Sequence, residues 1–215
     1  MFNFDLLENT QKASRRQFVK VLTAGGVSAA LATQLGQLAL AQSGNVSDLD
    51  ILNLALTAEY LATDVYTRAL MVPFPQGIKD YMAEALKQEE VHVKALTDTI
   101  RGPFNAMPVA RPQFTYGNLE FNRANQMKVL ETMIALETAF TGAYLGAIPL
   151  IQNKAVLSAA AAIAMNEEAH LTVLRDGLIG LGGKVEGPQV PNGRPLGVAI
   201  TPQQATAAVS GFIRK

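Results

Sequence analysis

Several polar residues of this 215-residue chain recur at one fixed offset of 78 positions. The offset relates Glu59 to Glu137, Tyr66 to Tyr144, Glu89 to Glu167, and His92 to His170. A repeat of this kind predicts two copies of one structural unit, which pack so that equivalent residues face one another. The fold must therefore bring these matched polar positions together.

Hydrophobic periodicity assigns each copy of the repeat to a pair of helices, because apolar residues recur at spacings of three and four. The predicted helices begin at about residues 48, 76, 119 and 150, and they end near Pro73, Arg101, Ala147 and Leu181. Ser47 or Asp48 can cap the first helix, and Gly182-Gly183 closes the fourth. We therefore predict an all-α protein with a four-helix bundle over residues 48–182.

The connections between these helices predict how the two pairs are joined. About 16 residues rich in Pro, Gly and Asn follow Gly102-Pro103. At roughly 3.3 Å per residue they can span about 50 Å, which exceeds the length of a bundle helix. We predict one long crossover connection there. The Gly/Pro-rich tail over residues 183–215 is predicted to include a short terminal helix capped by Thr201-Pro202, as a docking or assembly element.

Two Glu-x-x-His motifs occupy equivalent positions of the repeat, and they use both histidines of the chain. Residues three apart on a helix share a face, so each motif can present an oxygen and a nitrogen to one ion. Glu59 and Glu137 each lie within an otherwise apolar stripe of the remaining helices. Four buried carboxylates repel strongly unless they are compensated, and two divalent ions supply the required charge. Carboxylate and imidazole ligands suit iron or manganese better than calcium.

This ligand pattern resembles that of the ferritin-like di-iron/di-manganese superfamily, in which two helices supply one Glu each and two supply Glu-x-x-His. The resemblance covers about residues 48–182 and implies a ferritin-like bundle holding two divalent metal ions, with iron expected before manganese. It implies that Glu59 and Glu137 are terminal ligands and that Glu89 and Glu167 bridge the ions. His92 and His170 would each complete the coordination of one ion.

Tyr66 and Tyr144 each follow their helix Glu by two turns. Two roles are open for these tyrosines. They could pack in the core with a hydrogen-bonded hydroxyl, or they could have a redox or supporting role beside the metal ligands. Glu90 and Glu168 follow the motif carboxylates but point about 100° away on a helix, which favours solvent exposure or support of the ligands. No catalytic residue is assigned from the sequence.

The first 41 residues resemble a twin-arginine translocation signal. Ser14-Arg15-Arg16-Gln17-Phe18-Val19-Lys20 precedes an apolar stretch that ends in Ala39-Leu40-Ala41. This pattern predicts export by the twin-arginine machinery, cleavage after Ala41 and a location in the periplasm or cell envelope. Retention of the segment as a membrane anchor is the alternative, although Gly25-Gly26 and Gln34 weaken it. A protein that combines an export signal with such a bundle resembles the secreted ferritin-like proteins that are grouped with desiccation-related proteins.

Composition excludes several classes of function. The chain has no cysteine, so thiolate zinc sites, iron–sulfur clusters and cysteine nucleophiles are absent. Its net charge is zero and no basic cluster is interleaved with aromatic residues, so no nucleic-acid partner is expected. Metal chemistry in this chain must therefore use carboxylate and imidazole ligands.

These observations leave three functional hypotheses. The first is an exported oxidoreductase of ferroxidase, peroxidase or catalase type, acting on dioxygen or peroxide at two adjacent redox metals. The second is an envelope structural or stress-protection protein, whose bundle and tail serve assembly as a homo-oligomer or with envelope components. The third is a metal-free bundle with a hydrogen-bonded Glu/His core.

Overall fold

The computed structural model of the chain describes residues 46–185 and 197–214. The predicted signal peptide, its cleavage site and the middle of the C-terminal tail lie outside the described residues. Export and cleavage therefore stay predictions.

The described residues form five α-helices and no extended strand, which confirms the prediction of an all-α fold. The helices are α1 (Asp48–Ala69), α2 (Gln76–Arg101), α3 (Gln126–Ala147), α4 (Lys154–Gly180) and α5 (Pro202–Ser210). A 3₁₀ turn, Arg123–Asn125, precedes α3. None of the helices in the described ranges is long and apolar enough to cross a membrane.

Polar side chains define where the two halves of the bundle begin. The Ser47 hydroxyl accepts a hydrogen bond from the Asp50 amide, and the Asp50 carboxylate accepts one from the Ser47 amide, which closes a capping box on α1. The Asp48 carboxylate accepts hydrogen bonds from the backbone amides of Gln152 and Asn153, at 2.9 and 2.7 Å. Asp48 therefore joins the start of α1 to the start of α4.

Helices α1 to α4 form the bundle as two hairpins. The most extensive packing pairs α1 with α2 and α3 with α4, and further contacts join α1 to α3 and α2 to α4. Each bundle helix therefore has two neighbours around a common core. Facing hairpins of this kind are the arrangement that the 78-residue repeat predicts.

The connection over residues 102–125 crosses the length of the bundle along α1. The Val109 amide donates to the Asn53 side chain, the Tyr116 hydroxyl to Asp64, and the Gln126 side chain to the Pro73 carbonyl. Successive residues of the connection therefore contact positions progressively further along α1, from its first half to just beyond its end. This path confirms the predicted crossover and makes α1 and α3 antiparallel.

Two predicted helix starts are wrong. Helix α3 begins at Gln126 instead of Leu119, because Leu119 and Phe121 pack against the core from a non-helical segment. Helix α4 begins at Lys154 instead of Leu150, because the Asn153 side chain accepts hydrogen bonds from the amides of Ala155 and Val156 and caps the helix there.

The C-terminal segment lies against α3 where two glycines permit close approach. The Ile200 amide donates to the Gly142 carbonyl at 2.8 Å. A Cβ atom on Gly146 would lie 1.8 Å from the Ile200 carbonyl oxygen, so no side chain fits there. The short helix expected after Thr201-Pro202 is present as α5, which packs on α1 and α3.

Two apolar clusters fill the core on either side of a polar layer. One includes Leu130, Met133, Leu174 and Leu178, and the other includes Leu52, Leu56, Leu96 and Ile100. Between them, α2 and α4 carry their two Glu-x-x-His motifs. The apolar clusters therefore enclose the polar residues of the repeat.

Candidate metal centre

The structure brings all six predicted ligand residues into this buried layer. Helix α1 supplies Glu59, α2 supplies Glu89 and His92, α3 supplies Glu137, and α4 supplies Glu167 and His170. Their side chains are nearly inaccessible to solvent, from 0% exposed for Glu89 and Glu167 to 7% for His92. Four buried carboxylates so close together require compensating charge.

The six residues form two overlapping sets that could each hold a metal ion. Ligand atoms within 4.8 Å of one another join Glu59, Glu89, His92 and Glu167 in one set, and Glu89, Glu137, Glu167 and His170 in the other. Glu89 and Glu167 belong to both sets. We call the first the Glu59 half of the centre and the second the Glu137 half.

In the Glu59 half, the three carboxylates surround one ring nitrogen. The Nδ1 atom of His92 lies 3.3 Å from Glu59 Oε2, 3.2 Å from Glu89 Oε2 and 3.1 Å from Glu167 Oε1. Oxygens from three different carboxylates therefore converge on one imidazole nitrogen, where a proton or a cation would interact with all of them.

The Glu137 half repeats the pattern around His170. Its Nδ1 atom lies 2.8 Å from Glu89 Oε1 and 3.8 Å from oxygens of both Glu137 and Glu167. Its Nε2 atom lies 2.9 Å from Gln88 Oε1. An amide oxygen only accepts hydrogen bonds, so Nε2 must carry a proton, and Nδ1 is the atom left to bind an ion in the neutral ring.

Each tyrosine of the repeat supports the Glu of the opposite helix. The Tyr66 hydroxyl donates to Glu137 Oε1 at 2.7 Å, and the Tyr144 hydroxyl donates to Glu59 Oε1. One oxygen of each carboxylate is thereby held by a phenol, while the second oxygen remains for the centre. Both tyrosines therefore pack in the core with a hydrogen-bonded hydroxyl, which is the first of the two roles left open for them.

Burial and mutual repulsion change the proton affinities of the carboxyl groups. Burial, followed by the charges of Glu167 and Glu89, raises the pKa of Glu59 and of Glu137 well above the ordinary value. Burial would also raise the pKa of Glu167, but contacts with His170 and His92 outweigh it and lower this pKa to about 2. In the absence of metal, different carboxyl groups of the centre therefore favour different protonation states.

The two imidazoles are shifted towards the charged form. Burial lowers the pKa of each ring, but contacts with Glu167, Glu59 and Glu89 outweigh it and raise the pKa of His92 to about 12. Contacts with Glu167 and Glu89 likewise raise the pKa of His170 to about 9. Without metal, protons on the rings supply part of the positive charge that the carboxylates require.

Several polar atoms of the centre lack hydrogen-bond partners, and this tests whether metal ions fit. Glu89 Oε1, Glu137 Oε2, both carboxylate oxygens of Glu167 and His170 Nδ1 are buried without a partner of suitable geometry. Buried polar groups are normally satisfied, so a cluster of unpaired ligand atoms needs an explanation. Oxygen and imidazole donors in two four-residue sets are of the kinds that bind divalent metal ions, so the residues present fit a metal centre.

Three residues of the centre were missed from the sequence. The Gln88 side chain accepts a hydrogen bond from the Asn166 side chain at 3.1 Å and also contacts His170. Gln88 and Asn166 are themselves 78 positions apart. Each directly precedes a motif Glu, so the repeat itself was a signal for them. Tyr81 lies on α2 with its ring centroid 6.3 Å from that of His170. Its repeat equivalent is Ala159, so the offset gives no signal for Tyr81.

Glu90 and Glu168 are not members of either ligand set. Glu90 is exposed and Glu168 is partly buried. Their placement agrees with the helical geometry that turns the residue after a ligand away from the centre.

Comparison with known proteins adds independent support for the fold. A search of curated proteins finds no match. The family model described as the ferritin-like domain matches residues 47–179, which include all six residues of the centre and well over half of the chain. The chain therefore belongs to the ferritin-like family.

Proposed function

We propose that this protein binds two divalent ions, iron or manganese, between its four bundle helices and acts as an oxidoreductase on dioxygen or peroxide. The observation that carries the proposal is the sharing of Glu89 and Glu167 by two four-residue ligand sets. Carboxylates shared in this way would hold two ions close to each other, and a pair of redox metals would supply two-electron chemistry. A site for one structural ion would need only one such set.

The residues around the ligands support this role by fixing their orientation. Tyr66 and Tyr144 each hold one oxygen of a terminal carboxylate, and Gln88 fixes the tautomer of His170. Supporting contacts of this kind orient metal ligands and tune their basicity. The surrounding apolar clusters exclude bulk water, which strengthens every charge interaction in the centre.

The experiment is reconstitution of the metal-stripped protein with iron(II) or manganese(II) under anaerobic conditions. Two ions per chain, counted by elemental analysis, are expected. The loaded protein is then given dioxygen or peroxide while metal oxidation is followed by absorbance and dioxygen release by an electrode. Ferroxidase activity consumes iron(II) together with the oxidant, catalase activity consumes peroxide and releases dioxygen, and peroxidase activity consumes peroxide together with an added electron donor without releasing dioxygen. Binding of two ions without turnover of either oxidant would contradict the redox proposal while leaving the metal centre intact.

The structural alternative, in which the tail serves assembly, receives less support. Helix α5 packs on α1 and α3 of its own chain, and Thr115 and Arg214 donate backbone hydrogen bonds between the crossover and the C-terminal segment. This part of the tail is used within the bundle. We further propose export by the twin-arginine route, on the sequence of residues 14–41 alone.

A further inference from the structure

A pocket of about 460 Å³ lies at the end of the bundle where α2 begins and α4 ends. Its inner wall includes Leu130 and Leu174, which are 0% and 1% exposed. Leu174 lies one helical turn after His170, so the pocket reaches within one turn of the Glu137 half of the centre.

Missing side chains create this space. Gly77, Gly177 and Gly180 all line the pocket. A Cβ atom on Gly77 or Gly180 would meet nothing within 4 Å, and one on Gly177 would make ordinary contacts with the side chains of Ile78, at 3.4 Å, and Leu130, at 4.0 Å. Glycine within a helix costs stability relative to alanine. The glycines near the end of α4 therefore leave pocket space that larger side chains would fill.

Tyr81 separates the pocket from the centre. Tyr81 lines the pocket, whereas its hydroxyl is buried without a hydrogen-bond partner of suitable geometry, although the Tyr66 hydroxyl is close enough to interact with it. The Tyr81 ring packs edge-on against the His170 ring, and the carboxylates of Glu137 and Glu89 are close enough to act on the Tyr81 hydroxyl electrostatically. A buried donor whose hydrogen bonding is incomplete, at the boundary between an open pocket and the candidate metal centre, leaves room for a ligand to complete it.

The repeat does not copy this arrangement in the Glu59 half. The 78-residue offset places Ala159 at the position of Tyr81 and Thr99 at the position of Gly177. Each half has a matched set of ligands and one supporting tyrosine, but among the described residues Tyr81 gives the Glu137 half a second phenol, with a glycine-lined pocket beside it. The surroundings of the two halves therefore differ, and an exogenous ligand would meet different groups in each half.

We propose that small polar oxidants or anions, of the size of peroxide or azide, reach the centre through this pocket, and that the Tyr81 hydroxyl donates a hydrogen bond to them in the Glu137 half. This inference rests on the proposed function, because it requires metal ions in the centre. Tyr81 acts as a positioning residue. The pocket acts as the access route.

Azide binding tests the role of Tyr81 without depending on turnover. The protein is loaded with two equivalents of iron, oxidised in air and titrated with azide, whose binding to ferric ions is followed by the charge-transfer absorption. Tyr81→Phe keeps the ring and removes the hydroxyl, and we expect its azide Kd to rise about tenfold with iron content unchanged. Tyr116→Phe is the matched control, because it removes a half-buried phenol on the crossover and should leave azide affinity unchanged.

Rates of azide binding test the route. Gly180→Phe places a ring in the mouth of the pocket, and we expect the association and dissociation rates to fall together by fivefold or more, with Kd unchanged. Gly211→Phe places the same ring in open space at the end of α5 and should change neither rate.

The outcomes separate this inference from the proposed function. Wild-type azide affinity in Tyr81→Phe, or loss of iron from it, would overturn the positioning role. Wild-type rates in Gly180→Phe would overturn the route. Failure of the wild-type protein to bind two ions would overturn the proposed function and this inference with it.

Discussion

The Tyr66 hydroxyl donates a 2.7 Å hydrogen bond to Glu137, a residue 71 positions away on the opposite hairpin. Tyr144 makes the equivalent bond to Glu59. The bonds cross between α1 and α3, which is possible only because the two helices run in opposite directions. The crossed pairs therefore link the orientation of the hairpins to the placement of the candidate metal ligands.

Removal of one crossed bond should weaken one half of the centre. In Tyr66→Phe the ring still packs against His170, with wild-type centroids 5.8 Å apart, but Glu137 loses its phenol donor. Loss of a supporting contact to a metal ligand typically lowers affinity about 10- to 100-fold. Calorimetric titration of the stripped protein with manganese(II) should show one weakened and one unchanged binding event. Two unchanged events would contradict the supporting role, and Tyr116→Phe is the control.

Shared and unshared carboxylates should differ in how many ions they affect. Glu59→Ala removes a ligand from one set only, whereas Glu89→Ala removes one from both. We expect the first variant to retain about one tightly bound ion per chain and the second to lose both after gel filtration, as counted by elemental analysis. Glu90→Ala changes the exposed neighbour and should retain two ions. Equal ion content in Glu59→Ala and Glu89→Ala would refute the shared role of Glu89.

The protein stripped of metal should lose stability as the pH rises above about 6.5. The pKa values of His92 and His170 are raised to about 12 and about 9 in the fold, so their stabilising contribution is present below the ordinary value of 6.5. It is lost as the pH rises through the folded values. The raised pKa values of Glu59 and Glu137 act in the same direction, because the folded protein also holds their protons more tightly than the unfolded chain.

Thermal unfolding followed by circular dichroism between pH 6 and pH 9 checks this dependence. The Tm of the stripped protein should fall across the range. Divalent ions displace protons from the ligands, so the gain in Tm on adding manganese(II) should grow over the same range. A Tm of the stripped protein that rises with pH would show that the shifted groups do not govern its stability.

Gly146→Ala should detach the C-terminal segment from α3. The added Cβ would lie 1.8 Å from the Ile200 carbonyl oxygen, so the segment must move, and overpacking of this kind costs about 1–3 kcal/mol. The Ile200 amide should lose its protection from hydrogen exchange, and the free energy of unfolding should fall. Gly180→Ala, where the Cβ meets open space, should show neither change. Retained protection of Ile200 in Gly146→Ala would contradict the close packing.

Export should depend on the paired arginines. Replacing both Arg15 and Arg16 by lysine keeps the charge but removes the twin-arginine pattern. Cell fractionation should then find the protein retained in the cytoplasm at its uncleaved mass, whereas the wild type is found in the envelope fraction without residues 1–41. Normal export of the lysine variant would exclude the twin-arginine route.

Much of the fold and the candidate ligand set could be predicted from the sequence. Helical periodicity and the 78-residue offset are local or pairwise properties, and they identified the four bundle helices, the crossover and the six residues that the structure brings together. Helix starts were predicted less well. Leu119 and Asn153 lie in segments whose ends depend on core packing and capping, so periodicity alone placed both boundaries several residues too early.

The tertiary structure decided the contacts that depend on distance between helices. The repeat shows that Tyr66 and Tyr144 are equivalent, but their bonds to Glu137 and Glu59 exist only because α1 and α3 are antiparallel. Tyr81 has no counterpart in the repeat, and its position between a glycine-lined pocket and His170 depends on how α2 packs beside α4. Sequence spacing determines which residues share a helix face, whereas only packing determines which faces meet.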